Sequence, residues 1–112
     1  MVNHLIVDFL CKENGKIDNK QFIVNFVKDL VRVIGMKILK GPFIVKGTKR
    51  PGYSCFAIIE ESHVSIHTFL DTNTANIDVF SCRDFDEKTV IDYIKKKTKA
   101  KILKIYSLKR EI

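Results

Sequence analysis

Three short, strand-like segments follow one another closely in the middle of this 112-residue chain. They cover residues 53–59, 64–69 and 76–81, and they are rich in β-branched and aromatic residues. The connections between them are too short for the crossover that parallel neighbours require, which favours antiparallel hairpins. The centre of the chain is therefore predicted to form an antiparallel sheet.

Two other segments have the apolar spacing of amphipathic helices. The first begins after Asp18, a residue that can cap a helix, and ends near Gly35. The second begins at Asp84 or Asp86. The predicted inner faces are Phe22, Ile23, Phe26, Val27, Leu30, Val33 and Ile34 in the first helix, and Val90, Tyr93 and Ile94 in the second. One helix thus precedes the three central strands and the other follows them.

Three more strands complete the order β-α-β-β-β-β-α-β, with a turn at Asn14-Gly15 and a loop over residues 47–52. These strands are predicted at residues 3–11, 36–45 and 102–108. The order predicts an α+β fold, a two-layer α/β sandwich whose mostly antiparallel sheet carries both helices on one face. The length predicts one domain, residues 1–112. The uncovered face of the sheet would need a partner, which favours a dimer.

The composition is that of an ordinary globular protein, with 46% hydrophobic and 29% charged residues. The apolar stretches fall far short of the roughly 20 residues of a membrane span, and the N-terminus does not resemble a signal peptide. We therefore expect a cytoplasmic protein. Its cysteines, Cys11, Cys55 and Cys82, are odd in number and form no Cys-x-x-Cys pair, which disfavours both a disulfide framework and structural zinc. Cys11 and Cys55 lie in apolar runs and are predicted to be buried thiols.

The net charge of +7 is a property that nucleic-acid-binding domains share. Lysines crowd between residues 95 and 104, and a second basic group covers residues 46–50. An RNA-binding aromatic signature or zinc-finger spacing does not accompany them. A lysine-rich helix end and a solvated strand face explain them, so we expect no nucleic-acid partner. A basic binding module is kept as an alternative function.

Two short strings concentrate the reactive side chains of the chain. Residues 60–68 read Glu-Glu-Ser-His-Val-Ser-Ile-His-Thr, and residues 78–82 read Asp-Val-Phe-Ser-Cys. His63 and His67 lie on a predicted strand, about 13 Å apart, which is too far for two ligands of one metal ion. Ser62 lacks the Gly-x-Ser-x-Gly elbow of hydrolases. Neither a metal site nor a serine hydrolase is predicted.

Together these strings resemble the processing and active-site segments of the pyruvoyl-dependent S-adenosylmethionine decarboxylase proenzymes of prokaryotes. The resemblance extends over nearly the whole chain. The opening strand at residues 4–11 is similar, and so is Gly52-Tyr53-Ser54 ahead of the Glu61-Ser62 bond. The helices and the closing strand fall where the family has them.

The resemblance implies a chain that makes its own cofactor. Ser62 would attack the carbonyl of Glu61, the bond between residues 61 and 62 would break, and Ser62 would become a pyruvoyl group on the second of two fragments, 1–61 and 62–112. It assigns His67 as the processing base and Ser54 as its support. The pyruvoyl ketone would form a Schiff base with S-adenosylmethionine and promote loss of carbon dioxide. Cys82 would donate the proton that replaces it.

The resemblance also implies partners. It suggests a homodimer of cleaved protomers with active sites near the interface, and a product that is the aminopropyl donor for spermidine synthesis. Where the family commonly has Trp-Pro-Glu, this chain has Phe69-Leu70-Asp71. Phe69 would stack on adenine and Asp71 would hold the ribose hydroxyls. Thr48 stands where the family tends to have an aromatic residue. A basic amino acid, arginine or ornithine, is therefore the alternative substrate.

Overall fold

The computed structural model describes residues 1–12 and 16–111. In chain order the elements are β1 (Val2–Leu10), a short 3-10 helix (Lys16–Asp18), α1 (Lys20–Val33), β2 (Ile38–Lys46), β3 (Tyr53–Ile59), β4 (Ser62–Phe69), β5 (Thr74–Ser81), α2 (Glu87–Thr98) and β6 (Lys101–Arg110). The predicted order of helices and strands is confirmed. The predicted turn at Asn14-Gly15 lies outside the described residues.

The six strands form one sheet in the order β2-β3-β4-β5-β1-β6. All five neighbouring pairs are antiparallel. The central hairpins follow from the short connections, since β3–β4 and β4–β5 are neighbours both in sequence and in the sheet. β1 is different, because it lies between two strands from the far end of the chain. This sheet is the layer that positions the reactive residues.

The boundaries differ from the sequence-based expectation in two informative places. Asn19, not Asp18, caps α1, because the Asn19 side chain accepts the Phe22 N–H at 2.9 Å while Asp18 ends the 3-10 helix. β4 begins at Ser62 rather than at residue 64. Asp86 caps α2, which selects one of the two predicted starts. Gly35, with φ 79°, follows the end of α1 as expected.

Both helices pack on one face of the sheet and build the core with it. The largest fully buried side chains include Phe9, Leu5, Ile23, Leu30, Ile59, Ile77 and Ile94, drawn from both layers. The inner face predicted for α2 is buried, but Val33 of α1 is 43% exposed, so its placement in the core was wrong. Val33 is the last residue of α1 and lies at the edge of its apolar stripe, whereas Ile34, one residue further, packs against the core. Cys11 and Cys55 are buried as predicted, and burial raises the pKa of Cys55 to about 11.

The other face of the sheet carries apolar and aromatic side chains. Phe43, Phe56, Ile58, Tyr106 and Leu108 are 39–55% exposed. Strand alternation places these five on the face opposite the helices, which we call the open face. At its centre the His63 ring stacks between Phe56 at 5.3 Å and Phe80 at 5.0 Å. Burial in this stack lowers the pKa of His63. Within the described residues, neither helix is long and apolar enough to span a membrane.

Candidate active site

The tight hairpin between β3 and β4 holds the Glu61-Ser62 bond. Ile59 pairs with Ser62, so that only Glu60 and Glu61 form the loop. Glu61 has φ 46°, in the left-handed region that residues other than glycine rarely adopt. Such a conformation stores on the order of 1–3 kcal/mol and persists only where the surrounding structure imposes it. The peptide bond that the sequence singles out therefore follows directly on a strained residue.

Ser62 and Cys82 lie side by side at this end of the sheet. The Cys82 backbone N–H donates to Ser62 Oγ at 3.1 Å, and Ser62 Oγ lies 3.7 Å from Cys82 Sγ. The thiol also approaches the Glu60 carbonyl oxygen, at 3.9 Å. The pairing of His63 with Phe80 explains the proximity, because Ser62 precedes His63 and Cys82 follows Phe80 by two residues. Two residues that are twenty positions apart thus form one cluster, with Ser62 only 8% exposed.

An ion pair fixes the hairpin to the segment after β5. Arg83 Nη1 lies 3.7 Å from the Glu60 carboxylate. The Ser81 hydroxyl accepts the Arg83 N–H at 3.0 Å and donates to the Arg83 carbonyl at 2.7 Å, which shapes the backbone on either side of Cys82. These contacts hold the thiol against the strained loop. Sequence reasoning missed Arg83 and Glu60, because an ion pair between residues so far apart leaves no local pattern.

His67 and Ser54 form a second cluster. Ser54 on β3 is the cross-strand partner of His67 on β4, and Ser54 Oγ lies 2.7 Å from His67 Nδ1. Both side chains project from the open face, and the His67 ring is exposed. The hydrogen bond between the Ser54 hydroxyl and Nδ1 fixes the orientation of the ring. Nε2 is then left to exchange a proton with a substrate or a neighbouring chain.

Within one chain these two clusters do not meet. Ser62 begins β4 and His67 stands five residues further along it, a distance of about 16 Å at the usual rise of a strand. Their side chains also point to opposite faces, since Ser62 is on the buried, helix-facing side. The structure therefore brings Ser62 together with Cys82, and His67 together with Ser54, but it separates the two pairs.

The second cluster opens into a small cavity of about 190 Å³. Its lining consists of Gly47, Arg50, Gly52, Tyr53, Ser54, His67, Thr68 and Phe69. Phe69 ends β4 here, and Asp71 follows it in the turn to β5. Arg50 was counted in the sequence only as part of a basic group. In the structure it contacts both Phe69 and Asp71, the two residues predicted to bind substrate.

Gly52 brings the loop 47–52 against the end of β4. A Cβ atom at Gly52 would lie 1.8 Å from the Thr68 carbonyl oxygen, far inside contact distance. The Thr68 hydroxyl accepts the Tyr53 N–H at 3.0 Å, and the Pro51 carbonyl accepts the Leu70 N–H at 3.0 Å. The close approach that glycine permits is thus what positions Arg50 beside Phe69.

Substitution Gly52→Ala is therefore expected to displace this loop. The backbone has to move by more than an ångström, and we expect a loss of about 1–3 kcal/mol in the free energy of unfolding, typical of imposed backbone strain. Urea denaturation of the two proteins measures it. Gly35→Ala is the matched control for a glycine of positive φ, since a Cβ there meets nothing within 4 Å. A Gly52→Ala loss no larger than that of Gly35→Ala would contradict the crowding argument.

Among residues 1–12 and 16–111, the structure contains no group of three His, Cys, Asp or Glu side chains placed to hold an ion. The first cluster offers a hydroxyl and a strained residue in the β3–β4 hairpin, with the Cys82 thiol beside them from the segment after β5. That combination suits an intramolecular attack on the main chain.

Known proteins of similar sequence support the same interpretation. A family model described as S-adenosylmethionine decarboxylase matches residues 3–111. The S-adenosylmethionine decarboxylase proenzyme of Clostridium botulinum strain Langeland is 31% identical over 93 residues, which cover 82% of this chain and 78% of that protein. The corresponding proenzyme of the Loch Maree strain is 28% identical over the same shares.

The fold comparison agrees. The crystal structure of the adenosylmethionine decarboxylase from Aquifex aeolicus superposes with a TM-score of 0.83, covering 100% of this chain and 92% of that chain at 21% identity. This likeness confirms the α+β sandwich. Since the family model spans the chain from residue 3 to residue 111, the protein belongs to the S-adenosylmethionine decarboxylase family.

Proposed function

We propose that the protein is a self-processing S-adenosylmethionine decarboxylase with a pyruvoyl group at position 62. Family membership and the named relatives support the decarboxylase activity. One observation carries the self-processing part, the two-residue hairpin in which strained Glu61 precedes Ser62 and Cys82 lies beside the serine hydroxyl. The proposal includes one domain over residues 1–112, cut between residues 61 and 62.

Processing is a rearrangement of the main chain. Ser62 Oγ bonds to the carbonyl carbon of Glu61, and the C–N bond breaks, so that an ester replaces the amide and the Ser62 nitrogen becomes a free amine. Removal of the Ser62 α-proton then expels the Glu61 carboxylate and leaves dehydroalanine, which reacts with water to give the ketone and ammonia. Strain at Glu61 favours the first step, because leaving the amide releases it. A base of near-neutral pKa suits the second.

The residues around Ser62 fit the group that this chemistry produces. When present, a pyruvoyl group supplies a ketone that captures the substrate amine and withdraws the electrons left by carbon dioxide. Cys82 Sγ, at 3.7 Å from Ser62 Oγ, is close enough to give a proton to a carbon atom formed at this place. The Cys82 N–H, which Ser62 Oγ now accepts, is positioned to hold an oxygen or a carbonyl there.

The base has to reach the Ser62 α-proton, which at a tetrahedral carbon points away from the side chain and so toward the open face. His67 and Ser54 of the same chain lie about 16 Å away along β4, so we assign this approach to a second copy stacked on the open face. A two-fold axis that runs over the open face, at right angles to β4, places the His67 end of one protomer over the Ser62 end of the other. The apolar side chains of the open face, including Phe43, Phe56 and Ile58, supply the surface that such a dimer would bury. We therefore propose a homodimer in which His67 of each copy serves as the processing base for its partner, with Ser54 as support.

The remaining parts of the proposal follow from this activity. Phe69, which lines the same cavity as His67, and Asp71, two residues further, would bind the nucleoside of S-adenosylmethionine. The product would be the aminopropyl donor for spermidine synthesis, made in the cytoplasm. Arginine is the second candidate substrate, and one observation favours it: Asp71 and Phe69 already hold a guanidinium, that of Arg50. Ornithine, which lacks that group, has no such support.

Two measurements on the purified protein test the proposal. Mass spectrometry is expected to show two fragments, 1–61 and 62–112, with a ketone at the start of the second, in place of the intact 12.9 kDa chain. Incubation with S-adenosylmethionine, arginine and ornithine, each labelled in the carboxyl group, shows which one releases carbon dioxide. A chain that stays intact, has no ketone and binds RNA in a salt-dependent way would favour the basic binding module instead.

Complementation tests the shared site. Ser62→Ala and His67→Ala chains are each expected to be inactive when expressed alone. Co-expressed with different affinity tags and purified through both, they give mixed dimers with one intact site of two, and about half of the wild-type activity per dimer should return. Mixed dimers without any activity would show that both residues act within one chain. Ser62→Ala paired with a Ser62→Ala, His67→Ala double variant is the matched control, since that pair never contains an intact site.

A further inference from the structure

Arg50 is bound in the substrate cavity as a ligand would be. Its guanidinium lies 4.4 Å from the centre of the Phe69 ring. Its Nε and Nη2 donate to the two oxygens of Asp71, both at 3.1 Å. An aromatic ring on the face of the guanidinium and a bidentate carboxylate at its edge form the arrangement by which proteins recognise a planar cation. The bond to Arg50 lowers the pKa of Asp71 and keeps the carboxylate charged.

These are the same two groups that the proposed function assigns to the nucleoside. An adenine cannot stack on the Phe69 face that the guanidinium covers. Arg50 takes one acceptor site on each Asp71 oxygen, so ribose hydroxyls that approach Asp71 from the same side have to compete with it. Within this arrangement Arg50 lines the cavity and engages the two groups that the nucleoside would use.

We infer that Arg50 is an internal ligand of the substrate cavity, which S-adenosylmethionine has to displace from Phe69 and Asp71 in order to bind. The inference rests on the proposed function. Arg50 is thereby a specificity-determining residue, because its guanidinium competes with nucleoside substrates for Phe69 and Asp71 and so lowers their affinity.

The geometry allows Arg50 to leave. Its side chain and that of Asp71 are 54% and 45% exposed, so water can solvate both partners once they separate. The loop 47–52 stays anchored through the Gly47 N–H, which donates to the Gly52 carbonyl at 2.8 Å. Only the side chain has to swing out. A half-exposed ion pair with one stacking contact resists this by an amount that corresponds to roughly fivefold to thirtyfold in affinity.

Equilibrium binding of S-adenosylmethionine to uncut protein is the test. All three proteins carry Ser62→Ala, which prevents cleavage and turnover during the measurement. Addition of Arg50→Ala is expected to tighten binding about fivefold to thirtyfold. Addition of Lys49→Ala, which removes the same charge from the same loop, is expected to change it little. Methylguanidinium should then compete with S-adenosylmethionine in the Arg50→Ala protein at concentrations that leave the Lys49→Ala protein unaffected.

The outcomes separate the inference from the function on which it rests. Binding that is unchanged or weaker in the Arg50→Ala protein overturns the inference and leaves the decarboxylase standing, with Arg50 as a contributor to the site. Binding of S-adenosylmethionine by none of the three proteins overturns both, since no nucleoside cavity then exists. Circular dichroism checks that the substitutions, which lie on an exposed loop, leave the fold intact.

Discussion

Ser62→Ala is expected to abolish both cleavage and decarboxylation. Alanine offers no oxygen to the Glu61 carbonyl, so the ester cannot form and the chain stays as one 12.9 kDa polypeptide. Without the cut there is no ketone, and without the ketone the carbanion left by carbon dioxide has nothing to accept its electrons. The loss should reach the detection limit of the assay. Mass spectrometry and release of labelled carbon dioxide measure the two effects.

Ser65→Ala is the matched control for this change. Ser65 lies three residues along the same strand, on the open face, and is half-buried like His63 on that side. Without this hydroxyl the chain should still be cut between residues 61 and 62, and its activity should stay close to that of the wild type. Two fragments from the Ser62→Ala protein would show that another group attacks the main chain, and the role given to Ser62 would then be withdrawn.

Cys82→Ala is expected to separate the two reactions. The contact that orients Ser62 Oγ comes from the Cys82 backbone N–H, which alanine retains, so cleavage should still proceed at least in part. Turnover should fall by about 10²–10⁴-fold, the usual effect of removing a positioned general acid. The measurement is the decarboxylation rate per ketone, with the ketone titrated separately, so that incomplete cleavage is not mistaken for slow chemistry.

Cys82→Ser provides the comparison within this position. Its hydroxyl has nearly the size of the thiol but is a much weaker acid, so it should leave cleavage intact and restore little of the turnover. A Cys82→Ala enzyme with a normal rate per ketone would remove the thiol from its assigned role. The proton would then have to come from water or from a group on the partner copy.

Much of the fold could be predicted because its signals are local. The hairpins β3–β4 and β4–β5 follow from connections of a few residues, and the helices from apolar spacing. The proximity of Ser62 and Cys82 follows from the register of one hairpin. By contrast, the choice of Asn19 over Asp18 as the cap depends on where the 3-10 helix ends, which spacing alone does not reveal.

The arrangement of the site was harder to predict because it depends on faces and distances. His67 is five residues from Ser62 in the sequence, yet on a strand this odd spacing places the two side chains on opposite faces and about 16 Å apart. Arg50 and Asp71 are 21 residues apart and meet only because Gly52 lets the loop approach Thr68. Closeness in the sequence therefore suggested a contact between Ser62 and His67 that a single chain does not make. Separation in the sequence hid the contact between Arg50 and Asp71.

The position of β1 has a consequence for the mature protein. Cleavage at residue 62 would leave β1, β2, β3 and α1 on one fragment and β4, β5, α2 and β6 on the other. Because β1 is inserted between β5 and β6, the fragments interleave, and neither can depart without breaking three ladders of hydrogen bonds, β3–β4, β5–β1 and β1–β6. Once denatured, they would have to find each other by diffusion, whereas the precursor refolds alone. The architecture must then be complete before the bond breaks, and the working enzyme keeps a shape that it acquired as a single polypeptide.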